Sequence, residues 1–473
     1  MRSLAPILVA ATLGLESLRA QTPAALAPAV RQYVTVDAPV IALTHVRVID
    51  GTGAPAAADQ TVIIADGRIH AVGPAAATAV PAGATVIDGT GKTVIPGLVG
   101  MHDHLFYPSG GPGGQRNGIY YSGPRLYLGS GVTTIRTAGT YQPYADLDLK
   151  EAIEKGRVPG PHIFASGAYL DQVRGHLRGP DDARRLVDYW ADEGSSSFKA
   201  YMQISRAELG AAIAEAHKRG LKVTAHLCSV TFREAIALGI DELEHGLLVS
   251  TDFTPGKEPD VCPPPDRNIA ALAALDIQGP AVQSLIHELV QHGVAITSTL
   301  AVFEAGLPDR PPLTQRMLDV LATEPRASYL ATRTRLKETA AQSPFPTAYQ
   351  KELEFERAFV QAGGLLMQGL DPTGTGGSIP GFGDQRGVQL LVEAGFTPEA
   401  AIKIATANGA QFLGMLDRFG TVQPGKQADL VLIAGDPATK IGDIENVVTV
   451  FKDGVGYDSA KLIGAVRGQL GVN

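Results

Sequence analysis

The chain has 473 residues, 45% of them hydrophobic and 19% charged, a balance that supplies a sizeable core and excludes an intrinsically disordered chain. Forty Lys and Arg against 48 Asp and Glu leave a formal charge of −8, which argues against a nucleic-acid binder built on clustered basic side chains. The 54 glycines and 32 prolines follow no three-residue period and so mark a turn-rich fold, and two cysteines are too few for a disulfide framework.

Arg2 followed by the apolar run Leu4 to Leu15 reads as a secretory leader over residues 1–20, with Ala20 before Gln21 as the cleavage position. Residues 21–38, rich in Ala and Pro, read as a loose lead-in. The leader run is too short to span a bilayer, and no later stretch offers about twenty uninterrupted apolar residues. A secreted or periplasmic protein is expected, with no membrane association once the leader is removed.

Residues 39–96 carry short β-type runs punctuated by Asp50-Gly51, Asp66-Gly67 and Asp88-Gly89 turns. The same texture returns over 412–465, in Ala428 to Asp436 and in the Val447 to Gly456 hairpin with its Asp453-Gly454 turn. These two segments are expected to come together as one small β-sandwich domain. Between them, residues 97–411 alternate apolar strand-like runs with amphipathic helices, the signature of parallel β/α units. Eight strands are expected, over residues 98–106, 131–139, 162–170, 196–202, 222–228, 241–248, 294–303 and 365–371. Helices are expected over Arg206 to Arg219 and Thr397 to Asn408, the second opening on a Thr397 cap with Pro398 at its first position. Eight such units close into an α/β fold, the (β/α)8 TIM barrel, whose site lies at the C-terminal ends of the strands. Two long segments, 252–285 and 304–362, exceed ordinary loops and should sit above that site as a lid or subunit contact.

The sharpest local signal is Met101-His102-Asp103-His104 at the end of the first strand. Residues two apart in a strand share a side, so both imidazoles can reach one metal ion at about 2.1 Å. Ligand-type residues recur at other strand ends: Lys199 on the fourth, His226 on the fifth, His245 on the sixth and Asp371 on the eighth. A parallel barrel gathers all of them on one face. Four imidazoles and a carboxylate suit zinc or a neighbouring divalent metal. The lysine fits if CO2 converts its amine to a carbamate, an anionic two-oxygen ligand able to bridge two ions.

These residues, together with the run from Val94 to His104, the stretch from Ala211 through Gly246 and the late Ala428 to Leu432, resemble the amidohydrolase superfamily over roughly residues 40–465. Within it, the resemblance is to the imidazolonepropionase-related branch, which includes metal-dependent prolidases, other dipeptidases and ochratoxin-cleaving amidases. The resemblance implies metal ligands at His102, His104, Lys199 (as the bridging carbamate), His226, His245 and Asp371. It implies two divalent metal ions, zinc first among them, a bridging hydroxide as nucleophile, and Asp371 as proton shuttle to the leaving nitrogen. A small-molecule amide or dipeptide substrate and a homo-oligomer follow from the same likeness. The chain departs from it at Leu370, where relatives often carry Thr or Ser before the aspartate; alternation turns Leu370 away from the site.

Substrate contacts are expected from Tyr201, which shares a strand side with Lys199, and from Arg174 and His176 in the loop after the third strand. Arg136 reads as structural, Cys228 as a free buried thiol, and His45, His70, His217, His287 and His292 as structural or surface residues. The leading reading is a binuclear metal-dependent hydrolase of a C–N amide bond in a dipeptide or N-acyl amino acid. The alternatives are a mononuclear cyclic-amide hydrolase or deaminase, and a non-catalytic binding or scaffold homologue.

Overall fold

The computed structural model describes residues 26–108, 115–372 and 377–472, so the leader expected over 1–20 lies outside the described residues. Eight short parallel strands follow one another along the middle of the chain: Leu98–Asp103, Val132–Thr137, His162–Phe164, Ser197–Ala200, Lys222–Ala225, Glu242–Glu244, Ala295–Ser298 and Leu366–Gln368. Nearly every residue in them is buried, as expected of strands covered on both faces. The first three form one arc and the last five another. Bridges Ser166 to Ser197 and Leu170 to Ala200 join the third strand to the fourth. The backbone N–H groups of Leu370 and Asp371 both donate to the His102 carbonyl, at 3.1 and 2.7 Å, and bring the eighth strand back to the first. The architecture is a TIM barrel with an accompanying β domain.

Local chemistry explains where the barrel helices begin. Ser205 and Glu208 form a reciprocal capping box at Arg206–Lys218, and Thr231 and Glu234 do the same at Phe232–Leu238. The expected helix over Thr397 to Asn408 is two helices, Pro398–Ile404 and Ala407–Phe412. The Thr397 side chain caps the first as expected, but Thr406 leaves helical geometry (φ −134°, ψ −82°) and starts the second. The seventh strand, expected to run to Phe303, stops at Ser298, and the apolar residues beyond it form a short helix, α1 (Leu300–Glu304). A continuous apolar run does not distinguish a buried strand from a buried helix turn.

The β domain is one nine-stranded sheet. Its strand Lys92–Pro96 lies between Val40–Val48, which it pairs in parallel, and Leu430–Ala434, which it pairs antiparallel. One strand therefore welds the two distant segments, around a core that includes Ile41, Leu43, Val62, Val94, Leu430 and Phe451. The described part of the lead-in is not loose. Leu26, Val30 and Tyr33 are buried in the main core, and Val34–Val36 adds an edge strand to Val455–Asp458.

The segment after the seventh strand is helical, as expected: α2 (Gln315–Val320), α3 (Thr323–Thr339) and α4 (Phe345–Gln361) precede the eighth strand, and α5 (Phe382–Glu393) follows it. The C-terminal tail crosses to this insertion. The N–H of Leu470 donates to the Val320 carbonyl at 2.9 Å, and that of Ala322 to the Leu470 carbonyl at 3.0 Å. Among the described residues no helix is long and apolar enough to cross a membrane.

Cys228 is not a free thiol. It pairs with Cys262, 34 residues on, and so staples the loop that follows the fifth strand to the 252–285 segment. Guanidinium unfolding of Cys228→Ser should show a loss of about 3–4 kcal/mol, the chain-entropy value for a loop of this length. Reductant should destabilise the natural chain and leave that variant unchanged.

A buried charge network fastens the closed end of the barrel to the β domain. His162 Nε2 lies 3.5 Å from both Asp429 Oδ2 and Asp453 Oδ2, and Lys452 Nζ is 3.2 Å from Asp453 Oδ2. Burial and Lys452 pull the His162 imidazole down, but Asp453 and Asp429 outweigh them and raise it to about 9. A raised value means that the stabilisation is complete below about 6.5 and is lost as pH climbs through about 9. The free energy of unfolding should therefore fall between these limits, by an amount on the order of 1–3 kcal/mol, with a parallel drop in melting temperature, and His162→Gln should flatten the profile over the same window.

Candidate metal centre

Each ligand-type side chain stands at a strand end for a local reason. His102 and His104 alternate out of the first strand onto one side, as the spacing predicts. His245 and Asp371 follow their strands in left-handed backbone (φ 70° and 56°), a conformation costly for residues other than glycine. That turn lets His245 reach the site although Glu244, its neighbour, also points into the barrel. The residue after it has no room for a side chain: a Cβ on Gly246 would fall 1.9 Å from Glu352 Oε1. The Glu352 carboxylate is held there by the Leu248 N–H at 2.7 Å.

Three imidazoles are tied by Nδ1. His102 Nδ1 meets Glu244 Oε2 at 2.5 Å, His104 Nδ1 meets the Gly139 carbonyl at 3.1 Å, and His245 Nδ1 meets Thr299 Oγ1 at 2.7 Å. The first two contacts need a proton on Nδ1, which leaves Nε2 with a lone pair. His104 Nε2 is 3.3 Å from Asp371 Oδ1 and His102 Nε2 is 3.8 Å from the same oxygen. His245 Nε2 is 4.0 Å from Asp371 Oδ2, and the His226 ring sits 4.3 Å from the His245 ring, centroid to centroid.

Burial keeps the His102 and His226 rings uncharged: it lowers His102 to about 4 against the pull of Glu244, and His226 to about 3. His245 is driven well below the ordinary value for the same reason, reinforced by the neighbouring imidazoles. Asp371, despite burial, is held far below the carboxylate range by His102, His104 and His245.

Lys199 is fully buried, its Nζ 3.0 Å from Glu244 Oε1, and burial pulls its ammonium below the ordinary value. Arg136, also fully buried, meets Glu244 Oε1 at 2.7 Å, Glu242 Oε2 at 3.4 Å and Thr224 Oγ1 at 3.0 Å. The residue set fits divalent cations on the geometry itself. One ligand atom each from His102, His104 and Asp371 lies within 4.8 Å of the others, and the buried His245 Nε2 has no hydrogen-bond partner among the described residues.

A belt of rings forms one wall above the ligands. It runs from His104 through Phe106, Tyr141, Tyr169 and Tyr201 to His226, with centroid spacings of 4.4 to 5.3 Å. Arg174 lies on this wall, its guanidinium 4.0 Å from the Tyr201 ring and its Nε donating to Tyr141 Oη at 2.8 Å. Burial raises the Tyr201 hydroxyl to about 12 against the pull of Arg174. His176 is exposed in the same loop with φ 53°, and no hydrogen bond or ring contact joins it to the ligands among the described residues.

The structure thus gathers all six expected ligand positions with Tyr201 and Arg174, and leaves His176 outside. Glu244, Tyr141 and Tyr169 escaped sequence reasoning. A signal for Glu244 existed: Glu242 and Glu244 alternate into a barrel interior that also receives Arg136 and Lys199, so a buried counter-charge was due. The two tyrosines come from separate loops whose approach no spacing reveals.

Residues 93–258 and 369–456 match the model of the amidohydrolase family. The chain belongs to that family. An imidazolonepropionase from Stenotrophomonas maltophilia is 36% identical over 106 residues, a match covering 21% of this chain and 25% of the relative, so the chain spans only a quarter of that relative's length in the match. A Bifidobacterium longum protein described as a candidate prolidase aligns in structure over 90% of this chain and 98% of its own, at 26% identity and a TM-score of 0.63. A Xaa-Pro dipeptidase solved with methionine in its active site aligns over 89% of this chain and 100% of its own, at 20% identity and a TM-score of 0.65. The second of these shares the fold.

Glu244→Gln keeps the shape but not the charge that orients His102. Its affinity for zinc, measured by chelator competition, should fall roughly 10- to 100-fold. Unchanged affinity would mean that His102 needs no carboxylate behind it.

Proposed function

We propose that this amidohydrolase is a binuclear, metal-dependent hydrolase of a C–N amide bond in a dipeptide or N-acyl amino acid. The observation that carries the reading is Lys199, fully buried at a strand end against Glu244 and close enough to His102, His226 and His245 to influence their charge. Burial lowers the Lys199 pKa and so favours the neutral amine that CO2 requires, and the resulting carbamate would serve as an anionic ligand for the two ions. His102, His104 and Asp371 would hold one ion, His226 and His245 the other. Two divalent ions there, zinc first among them, would polarise the scissile carbonyl and lower the pKa of a water.

The chain's own groups supply the rest. Asp371 is ionised and partly open to the site, so its carboxylate can take the proton from the attacking water and return it to the leaving nitrogen. Arg174 presents a half-buried guanidinium backed by Tyr201 and Tyr141, suited to a substrate carboxylate. The dipeptide class is also the one for which the Xaa-Pro dipeptidase is named. Export is part of the proposal: the apolar run near the N-terminus and the Cys228–Cys262 bridge both suit an oxidising compartment.

A mononuclear centre acting on a cyclic amide is the second reading. It is favoured by the pairing of Lys199 with Glu244 and by the imidazolonepropionase likeness. Metal analysis separates the two. About two ions per chain, with loss of one and of activity in Lys199→Ala, supports the binuclear centre; about one ion and an active Lys199→Ala overturns it.

Asp371→Asn should retain most of its metal and lose turnover by roughly 10²- to 10⁴-fold. In a screen of dipeptides and N-acyl amino acids, Arg174→Leu should raise KM by roughly tenfold or more with kcat nearly unchanged, and only for substrates bearing a free carboxylate. Equal losses on carboxylate-free substrates would remove Arg174 from that role.

A further inference from the structure

The long insertion after the seventh strand reaches one candidate ligand, His245, from behind. The His245 backbone is left-handed (φ 70°, ψ 0°), Gly246 after it is left-handed as well (φ 64°), and the chain then enters a short helical turn, Gly246–Val249. A histidine keeps such a conformation only where its surroundings hold it.

A carboxyl group from α4 sits against that turn. Glu352 is fully buried and lies 104 residues along the chain from Leu248, yet its Oε2 accepts from the Leu248 N–H at 2.7 Å, with the Leu247 N–H turned to the same group. The approach is close, since a Cβ on Gly246 would lie 1.9 Å from Glu352 Oε1. Burial, reinforced by Glu356, pushes the Glu352 carboxyl well above the ordinary carboxylate range. It therefore accepts as a neutral acid, and a glutamine in its place would present the same acceptor.

The same face of α4 also approaches the partner of the imidazole. Residues four apart on a helix share a face, and Glu356, one turn beyond Glu352, lies against Ser298. The next residue is Thr299, whose Oγ1 is 2.7 Å from His245 Nδ1. One helix of the insertion thus braces the turn that follows His245 and flanks the residue that meets its ring.

We propose that Glu352 is a positioning residue for the candidate metal centre: by accepting from the turn after His245, it fixes the left-handed backbone that aims this imidazole at the ion shared with His226. The insertion is then part of the frame of the centre, beyond the lid or subunit contact that its length suggests. The inference rests on the reading of His245 as a metal ligand.

Chelator competition on the zinc-loaded protein, with ions per chain counted at each step, tests this. In Glu352→Ala the ion of His226 and His245 should be roughly tenfold or more weaker, while the ion of His102, His104 and Asp371 keeps its affinity. Glu352→Gln should stay within about twofold of the natural chain, because the Leu248 N–H keeps its acceptor. Glu352→Asp withdraws that acceptor by one methylene and should weaken the same ion a few-fold; it carries the test where the alanine variant does not fold. Phe359→Leu, a core change near the other end of α4, should lower the melting temperature and leave both affinities unchanged. Unchanged affinity in Glu352→Ala and Glu352→Asp overturns the inference. So does a Glu352→Gln that loses as much as the alanine variant, or a loss that Phe359→Leu reproduces. A natural chain that holds one ion instead of two overturns the binuclear reading alone, and the inference is then decided by whether Glu352→Ala weakens that ion and Glu352→Gln restores it.

Discussion

One carboxylate makes the floor of the candidate metal centre possible. Glu244 receives Arg136 and Lys199 on one oxygen and His102 on the other, all with side chains essentially closed to solvent. Groups with this much positive charge cannot be buried together unless an anion sits among them, and breaking such an arrangement typically costs about 3–5 kcal/mol. The second acid in the cluster does not compete. Burial and the Glu244 charge raise Glu242 to about 8, so it is largely protonated at neutral pH. Glu244 is thereby the fixed anion against which the orientation of His102 and the state of Lys199 are both defined.

The floor and the rim of the site are built by different physics. The candidate ligands at the floor come from strand ends, where backbone pairing fixes direction and only His245 and Asp371 need a left-handed turn. The rim comes from loops and insertions, held by ring contacts, by the Cys228–Cys262 bridge and by the C-terminal tail on the 304–362 segment. Chemistry common to a family can stay in the floor while substrate preference is set at the rim.

What the sequence made legible follows the same division. His102-Asp103-His104 and the recurring ligand types at strand ends could be read because a strand has a fixed two-residue period and a parallel barrel collects its ends on one face. The weld between the two β segments was anticipated from texture alone, although the strand that makes it, Lys92–Pro96, was not singled out. The misreadings concern contacts made through space. Cys228 and Cys262 are 34 residues apart, a separation that says nothing about a Cα distance of 5.0 Å. Val30 and Tyr33 sit in an Ala- and Pro-rich stretch whose composition hides their burial. Phe303 continues an apolar run yet stands in a helix, its ring 5.6 Å from His245.

The two hydrogen bonds from Leu370 and Asp371 to the His102 carbonyl close the barrel, and one of them joins two residues that also face each other as candidate ligands. The seam of the cylinder and the distance between those ligands are therefore one mechanical element. A fluctuation that parts the eighth strand from the first also spreads the centre, so the barrel cannot breathe at this seam and keep the site intact. Loops elsewhere can move to admit substrate while this edge, the place where a cylinder made of separate strands would be expected to open, stays shut.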